Sequence, residues 1–147
     1  MDEENFAQGP CPIARGLARV GDTWSMLILR DASQGITRFD QFRKSLGIAP
    51  TILTRRLAAL TEDGLLEKRR YSDHPPRDEY VLTQAGRDFL PVLTMISTWV
   101  RKHYAGGGEM TRLVDAELGT DVQPLLVDQV TGAEIGTRKL KLVPPGG

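Results

Sequence analysis

Among 147 residues the chain holds a single cysteine, Cys11, and two histidines, His74 and His103. A lone thiol excludes an intrachain disulfide and a cysteine-based zinc site. The two histidines are far apart and lack neighbouring ligands, so no metal site assembles around them. No metal and no other cofactor is expected. Net charge is missing as well. The 19 basic side chains balance 19 acidic ones, so the whole-chain value points to no nucleic-acid or membrane partner. No run approaches the roughly 18 apolar residues of a membrane span, and the acidic opening MDEENFAQGP lacks the apolar core of a secretory leader. The expected location is cytoplasmic. There is no nucleophile–base pair, P-loop or dinucleotide fingerprint, and the glycine run before Glu109 lacks the lysine and strand context of a phosphate loop. An enzyme is therefore not expected.

What charge there is lies unevenly. Residues 1–37 carry three basic and five acidic side chains, residues 38–80 nine and seven, and residues 106–147 four and six. Within the basic middle, the stretch Phe42–Ala59 has Arg43, Lys44, Arg55 and Arg56 and no acid. Local charge, not the total, is what a phosphate backbone meets.

Periodicity and punctuation give the order of elements. After a flexible lead over residues 1–10, Ile13–Val20 reads as a short helix broken by Gly21. Asp22 or Thr23 can cap a helix over Trp24–Ala32 whose residues Trp24, Leu27, Ile28 and Asp31 recur at helical spacing. Thr37 and Asp40 have the form of a capping box before a helix at Arg38–Leu46. Gly47 stops that helix, and Pro50 suits the first position of the next, where its missing N–H would have had no partner. Leu53, Leu57 and Leu60 then form a narrow apolar stripe, with Thr51, Arg55, Ala58 and Glu62 opposite. Past Gly64, LLEKRRY and DEYVLT read as two strands of a hairpin closed by His74-Pro75-Pro76-Arg77. A long helix follows from Thr83 to Tyr104, with Pro91 as a kink or a start. Its apolar residues cover more than one face, which calls for a second copy of the chain. Beyond Gly106-Gly107-Gly108, loosely alternating segments suggest a small β-meander, and no internal repeat is apparent.

Helix, turn, basic helix and hairpin is the order of a winged helix-turn-helix. The second helix of the pair must enter a major groove, so its inner face is apolar and its outer face carries donors. Thr51 and Arg55 point outward, with Thr54 and Arg56 at the flanks. Arginine forks onto guanine, and threonine reaches a phosphate or a thymine methyl. Lys68, Arg69 and Arg70 put positive charge on both faces of the first hairpin strand, and Arg77 sits at the turn. That suggests a ribbon lying along phosphates. The plainer alternatives are a solvated amphipathic helix and an edge strand guarded by charge.

In order along residues 11–103, the segments CP, W…LILR, RFDQF, LTRRL, DGLLEKR, PPRDEY and LTQAG resemble the HxlR-type branch of the MarR-like bacterial transcriptional regulators. The resemblance implies an α+β, mainly α, winged helix-turn-helix with a long C-terminal dimerisation helix, and the alternation beyond Gly108 adds a small β tail. Together with the polar lead and the glycine break, this divides the chain into a lead at 1–10, a DNA-binding and dimerisation domain at 11–105 and an extension at 106–147. The resemblance further implies a homodimer on double-stranded DNA, without catalysis. The DNA-binding set would be Arg38, Arg43, Lys44, Pro50, Thr51, Thr54, Arg55 and Arg56 with Lys68, Arg69, His74 and Arg77 on the wing. The first and last helices would form the dimer interface through Ile13, Leu17, Phe89, Leu93, Ile96, Trp99 and Val100. Two departures stand out. Ala49 replaces a serine common before the helix-opening proline, and the tail lacks the cysteines that some relatives carry there, so it is expected to be metal-free. Cys11 occupies a position where some members sense oxidants; the alternative is a small buried apolar residue. Trp24 and Trp99 could line a pocket for a small-molecule effector, or be core aromatics. A different class of function, a protein-interaction module without DNA binding, fits the neutral total charge.

Overall fold

The computed structural model describes residues 3–147. Its elements are α1 (Glu3–Gln8), α2 (Pro12–Val20), α3 (Thr23–Ser33), α4 (Phe39–Leu46), α5 (Pro50–Glu62), strands β1 (Leu66–Asp73) and β2 (Pro76–Leu82), and α6 (Gln84–His103), followed by a single 3-10 turn at Ala105–Gly107. The chain divides into two compact units, Met1–Leu93 and Thr94–Gly147. The division falls inside α6, after Leu93, the last residue of that helix to pack on the core. Where the sequence suggests a flexible lead, Glu3–Gln8 is helical; residues 1 and 2 lie outside the described part.

In the first unit one apolar core is built from α2 to α5 and β1. Val20 of α2, Ile28 and Leu29 of α3, Phe42 of α4, Leu53, Leu57 and Leu60 of α5, Leu66 of β1 and the inter-helix Ile48 are buried together. The helix boundaries have local causes. Asp22 caps α3 by accepting from the Ser25 N–H at 2.8 Å. At α4 the sequence pattern suggests a Thr37–Asp40 box, but the partner is Gln41, whose Oε1 accepts from the Thr37 and Arg38 N–H groups at 3.2 and 3.1 Å. The helix begins one residue later than expected, with Arg38 as N-cap, so Gln41 takes the third position from which a side chain reaches back. Gly47 closes α4 in the left-handed region, φ 62°, which a side-chain-bearing residue adopts only at a cost. Asp31 is buried, as its spacing suggests, and its Oδ1 accepts from Arg30 Nε and Nη2 at 3.1 and 2.9 Å.

β1 and β2 pair antiparallel with Leu66 opposite Leu82 and Asp73 opposite Pro76. The connecting loop is therefore only His74-Pro75, joined by a cis peptide, since Pro76 and Arg77 already belong to β2. Tyr71 is the extra residue of a bulge between Arg70 and Ser72. The hairpin leads into α6 through Thr83, whose hydroxyl donates to the Gly64 carbonyl and accepts from the Gly86 N–H. Pro91 lies within a continuous α6. Phe89 and Leu93 turn inward against the core, whereas Val92 is exposed.

No residue of the second unit is buried. The expected β-meander is present only as two isolated antiparallel bridges, Val114 with Asp121 and Val127 with Glu134. They expose an internal repeat that the sequence pattern conceals: VDAELGTD at 114–121 returns as VDQVTGAE at 127–134. In each copy the glycine N–H donates to the aspartate carbonyl, Gly119 to Asp115 at 2.8 Å and Gly132 to Asp128 at 2.7 Å, with both glycines at positive φ. The aspartate side chain also caps the turn. Asp115 Oδ1 accepts from Leu118 and Glu117 N–H, which holds its carboxyl below the usual aspartate range, and Asp128 accepts from Val130 N–H and the Thr131 hydroxyl. Each turn closes on itself within eight residues, so the alternation never lengthens into strands.

Two positions in the first unit demand glycine for space, Gly21, where a Cβ would lie 2.3 Å from the Leu17 carbonyl oxygen, and Gly86. A Cβ on Gly86 would lie 2.2 Å from the Leu65 carbonyl oxygen and 2.9 Å from Leu82 Cδ2. Gly16, midway along α2, has nothing within 4 Å. Gly86→Ala is expected to lower the unfolding free energy by about 1–3 kcal/mol through overpacking. Gly16→Ala should leave it equal or raise it by roughly half a kcal/mol. Chemical denaturation of the two variants checks the contrast.

Candidate nucleic-acid interface

The site is built around α5. Its buried leucine row packs the helix against α3, α4 and β1, which leaves Thr51, Thr54 and Arg55 on the exposed side. The turn before it is anchored by buried Ile48 and opened by Pro50 at the first helical position. Ala49 is the N-cap and, as its side chain dictates, makes no capping hydrogen bond. Thr54 donates its hydroxyl to the Pro50 carbonyl at 2.9 Å. It bonds a backbone oxygen one turn back, and the residue stays exposed.

The cations expected at this surface separate into two groups. Arg56 is held at 3.6 Å from Asp22 Oδ2, so it ties α5 to the N-cap of α3. Arg43 lies 3.9 Å from Asp40, one turn earlier on α4. Arg38 stacks its guanidinium over the Tyr71 ring, 4.2 Å from the centroid. On the wing, the strand register sets Arg69 opposite Glu79 and Arg70 opposite Asp78. Arg69 pairs with Glu79 at 3.2 Å, and Asp78 takes both Arg70 at 3.3 Å and Lys68 at 3.7 Å. Lys44, Arg55 and Arg77 are exposed and have no ion pair among the described residues. His74 is exposed beside the cis peptide.

Several residues that shape this surface carry no obvious signal in the chain. Tyr71 is one: the bulge turns it toward Arg38, and the Tyr80 N–H donates to the Thr37 carbonyl at 2.7 Å. These two contacts fasten the wing to the start of α4. Beside them lies an open hollow of about 430 Å3 lined by Arg38, Phe39, Asp40, Gln41, Tyr71, Arg77 and Asp78. Asp63, at the C-terminal end of α5, holds Arg19 of α2 at 3.1 Å. Asp78 and Glu79 were legible only by pairing KRR against DE across the hairpin, a step that requires the register.

The remaining expected positions lie on α2 and α6. Ile13 and Leu17, one turn apart on α2, are exposed at 72% and 54%. On α6, Ile96 and Trp99 are exposed and Val100 is half-buried, whereas Phe89 and Leu93 serve the chain's own core. The Trp99 ring meets Tyr104 edge-on at 5.1 Å, and Trp24 packs against the core. Cys11 is exposed as the N-cap of α2, its Sγ accepting from the Ala14 N–H at 3.4 Å. Arg15, one turn into α2, donates to the Gly9 and Gln8 carbonyls. Among the described residues no three His, Cys, Asp or Glu groups gather as a metal site, and no helix is long and apolar enough to cross a membrane.

Comparison with known proteins agrees with this geometry. Residues 19–107 match the model of the HxlR-like helix-turn-helix family. An uncharacterized HTH-type transcriptional regulator of Mycobacterium tuberculosis is 35% identical over 136 residues, covering 92% of this chain and 86% of that protein. The crystal structure of PA1607, described as a candidate transcription factor, superposes with a TM-score of 0.85 at 37% identity, covering 95% of this chain and 98% of that one. The redox regulator HypR in its oxidized form gives 0.58 at 30% identity, over 63% of this chain and 97% of that one. The family and its named members are transcriptional regulators, not enzymes. With a winged-helix architecture and a family match across more than half its length, the chain belongs to the HxlR-like helix-turn-helix transcriptional regulators.

Proposed function

We propose that this regulator binds specific duplex DNA as a homodimer in the cytoplasm and that α5 is the helix that enters the major groove. The observation that carries the reading is Arg55. It stands on the exposed face of a helix whose opposite face is locked by three buried leucines, and it has no ion pair among the described residues. Its guanidinium is free to fork onto a guanine edge, with Thr51 and Thr54 beside it for phosphate or methyl contact. Lys44 and Arg77 supply unpaired charge on the same unit for the backbone. Arg56 has a different task, holding α5 against the cap of α3.

Arg55→Ala is expected to weaken a selected duplex by about 1–3 kcal/mol while leaving a random duplex nearly unchanged. Fluorescence anisotropy against both duplexes across a salt series decides it, and equal losses on the two would reduce Arg55 to a phosphate contact. Binding that did not weaken with rising salt would remove phosphate neutralisation as its basis.

A second copy of the chain is the partner proposed for the exposed apolar residues of α2 and α6. Ile13 and Leu17 present one stripe, and Val92, Ile96 and Trp99 recur at helical spacing as another. Such a dimer would offer its two recognition helices to half-sites about 34 Å apart. Sedimentation of Ile13→Asp and Trp99→Asp variants should yield folded monomers that lose at least tenfold in affinity for a two-half-site duplex. Dimers surviving both changes would count against this surface.

Thiol response is the proposed signal. Cys11 is exposed and caps α2, and a relative of 30% identity is a redox regulator with an oxidized form. An oxidant withdrawing two electrons and two protons would join two Cys11 thiols across the dimer, or one thiol to a small thiol, and remove the cap from α2. A thiol oxidant is expected to change operator affinity of the unmodified protein several-fold and to leave Cys11→Ser unaffected.

A further inference from the structure

The wing, read from sequence as a positive ribbon, is electrically neutral. Residues 66–82 carry four basic side chains, Lys68, Arg69, Arg70 and Arg77, and four acidic ones, Glu67, Asp73, Asp78 and Glu79. The neutrality is local as well as total. Asp78 receives Lys68 and Arg70 on one face of the hairpin, and Glu79 receives Arg69 on the other. The carboxylates sit deeper than the cations they hold: Asp78 and Glu79 are 28% and 16% exposed, against 54%, 60% and 52% for Lys68, Arg69 and Arg70.

We propose that Asp78 and Glu79 are specificity determinants that mask the wing, keeping its three strand cations from binding phosphate on random DNA. The proposal rests on the DNA-binding reading above. Non-specific attachment is almost entirely counterion release, so each cation already neutralised by a protein carboxylate has that much less to gain from a phosphate. Exposed ion pairs are weak, so the mask is reversible. Once α5 is seated on its own sequence, phosphates held at a fixed place beside the wing can compete for the outer-lying cations, and Lys68, Arg69 and Arg70 exchange one anion for another. On random DNA no such fixed geometry exists, and the pairs stay closed. The mask thus lowers the affinity for the wrong sequence more than for the right one.

The test uses the isosteric neutral variants Asp78→Asn and Glu79→Gln in the full chain. Glu67→Gln serves as control, since it removes one negative charge from the same hairpin but has no ion pair among the described residues. Circular dichroism and melting establish that all three fold. Affinity is then measured, across a salt series, for a random duplex and for a duplex selected from a random pool by the unmodified protein. Asp78→Asn is expected to tighten random-duplex binding about tenfold at low salt and to steepen its salt slope by up to about two, with Glu79→Gln adding about one. The selected duplex should change less, so that the ratio between the two narrows. An unchanged slope in both variants overturns the mask, as does an equal effect from Glu67→Gln, which would reduce it to overall charge. A loss confined to the selected duplex also overturns it, because the carboxylates would then orient the arginines for contact. Failure of the unmodified protein to bind any duplex at low salt would sink the DNA-binding reading and this inference with it, whereas binding with unaltered slopes sinks the inference alone.

Discussion

The burial of Leu53, Leu57 and Leu60 fixes the rotation of α5 about its own axis, and the character of the exposed face follows from that constraint. Each leucine withdrawn from water contributes roughly 1.5–3 kcal/mol, and all three are fully buried in the common core. A turn of the helix by a quarter would expose this row and bury Thr51 or Arg55, so the packing energy also selects which side chains meet the outside. Asp22 and Asp63 add direction. The first reaches Arg56 from the cap of α3, and the second reaches Arg19 on α2. These exposed pairs add little stability, but they consume cations that would otherwise broaden the positive surface.

The same economy governs charge across the whole first unit. Of the basic residues around the helix-turn-helix and wing, most have an assigned neighbour: Asp22, Asp40, Asp78, Glu79 or the face of Tyr71. Lys44, Arg55 and Arg77 are left without one among the described residues. A chain of zero net charge can therefore carry a small, well-placed positive surface without a large positive field. For the proposed DNA-binding role that arrangement favours discrimination between sequences, because a strong field would reward every duplex alike.

Much of this was legible in the chain. The leucine stripe, the stop at Gly47, Pro50 as helix opener and the hairpin after Gly64 are local signals, each acting within a few residues, and they located α4, α5 and the wing. Family resemblance read from ordered motifs led to the same fold. What the chain concealed depends on register and on approach between distant segments. The wing looked positive on both faces because Asp78 and Glu79 lie about ten residues from their partners in sequence and directly across from them in the hairpin. Phe89 and Leu93 looked free to meet a second copy because α6 is apolar on more than one side, and only packing divides its faces. Gly86 gave no sign of its role, since the Leu65 carbonyl that requires it stands before the first strand and meets Gly86 only once the hairpin has closed.

The duplicated turn of the tail has a kinetic meaning. Its hydrogen bonds join residues no more than about nine positions apart, between Leu113 and Val122 or between Leu126 and Ile135. Contacts that local carry almost no loop-closure entropy and form on the timescale of a hairpin, microseconds, without waiting for a core. With no residue of its own unit buried, the tail also has nothing to make its opening all-or-none. Its amides should therefore trade hydrogen with solvent rapidly, turn by turn, while those of α3 and α5 remain protected until the leucine core itself gives way.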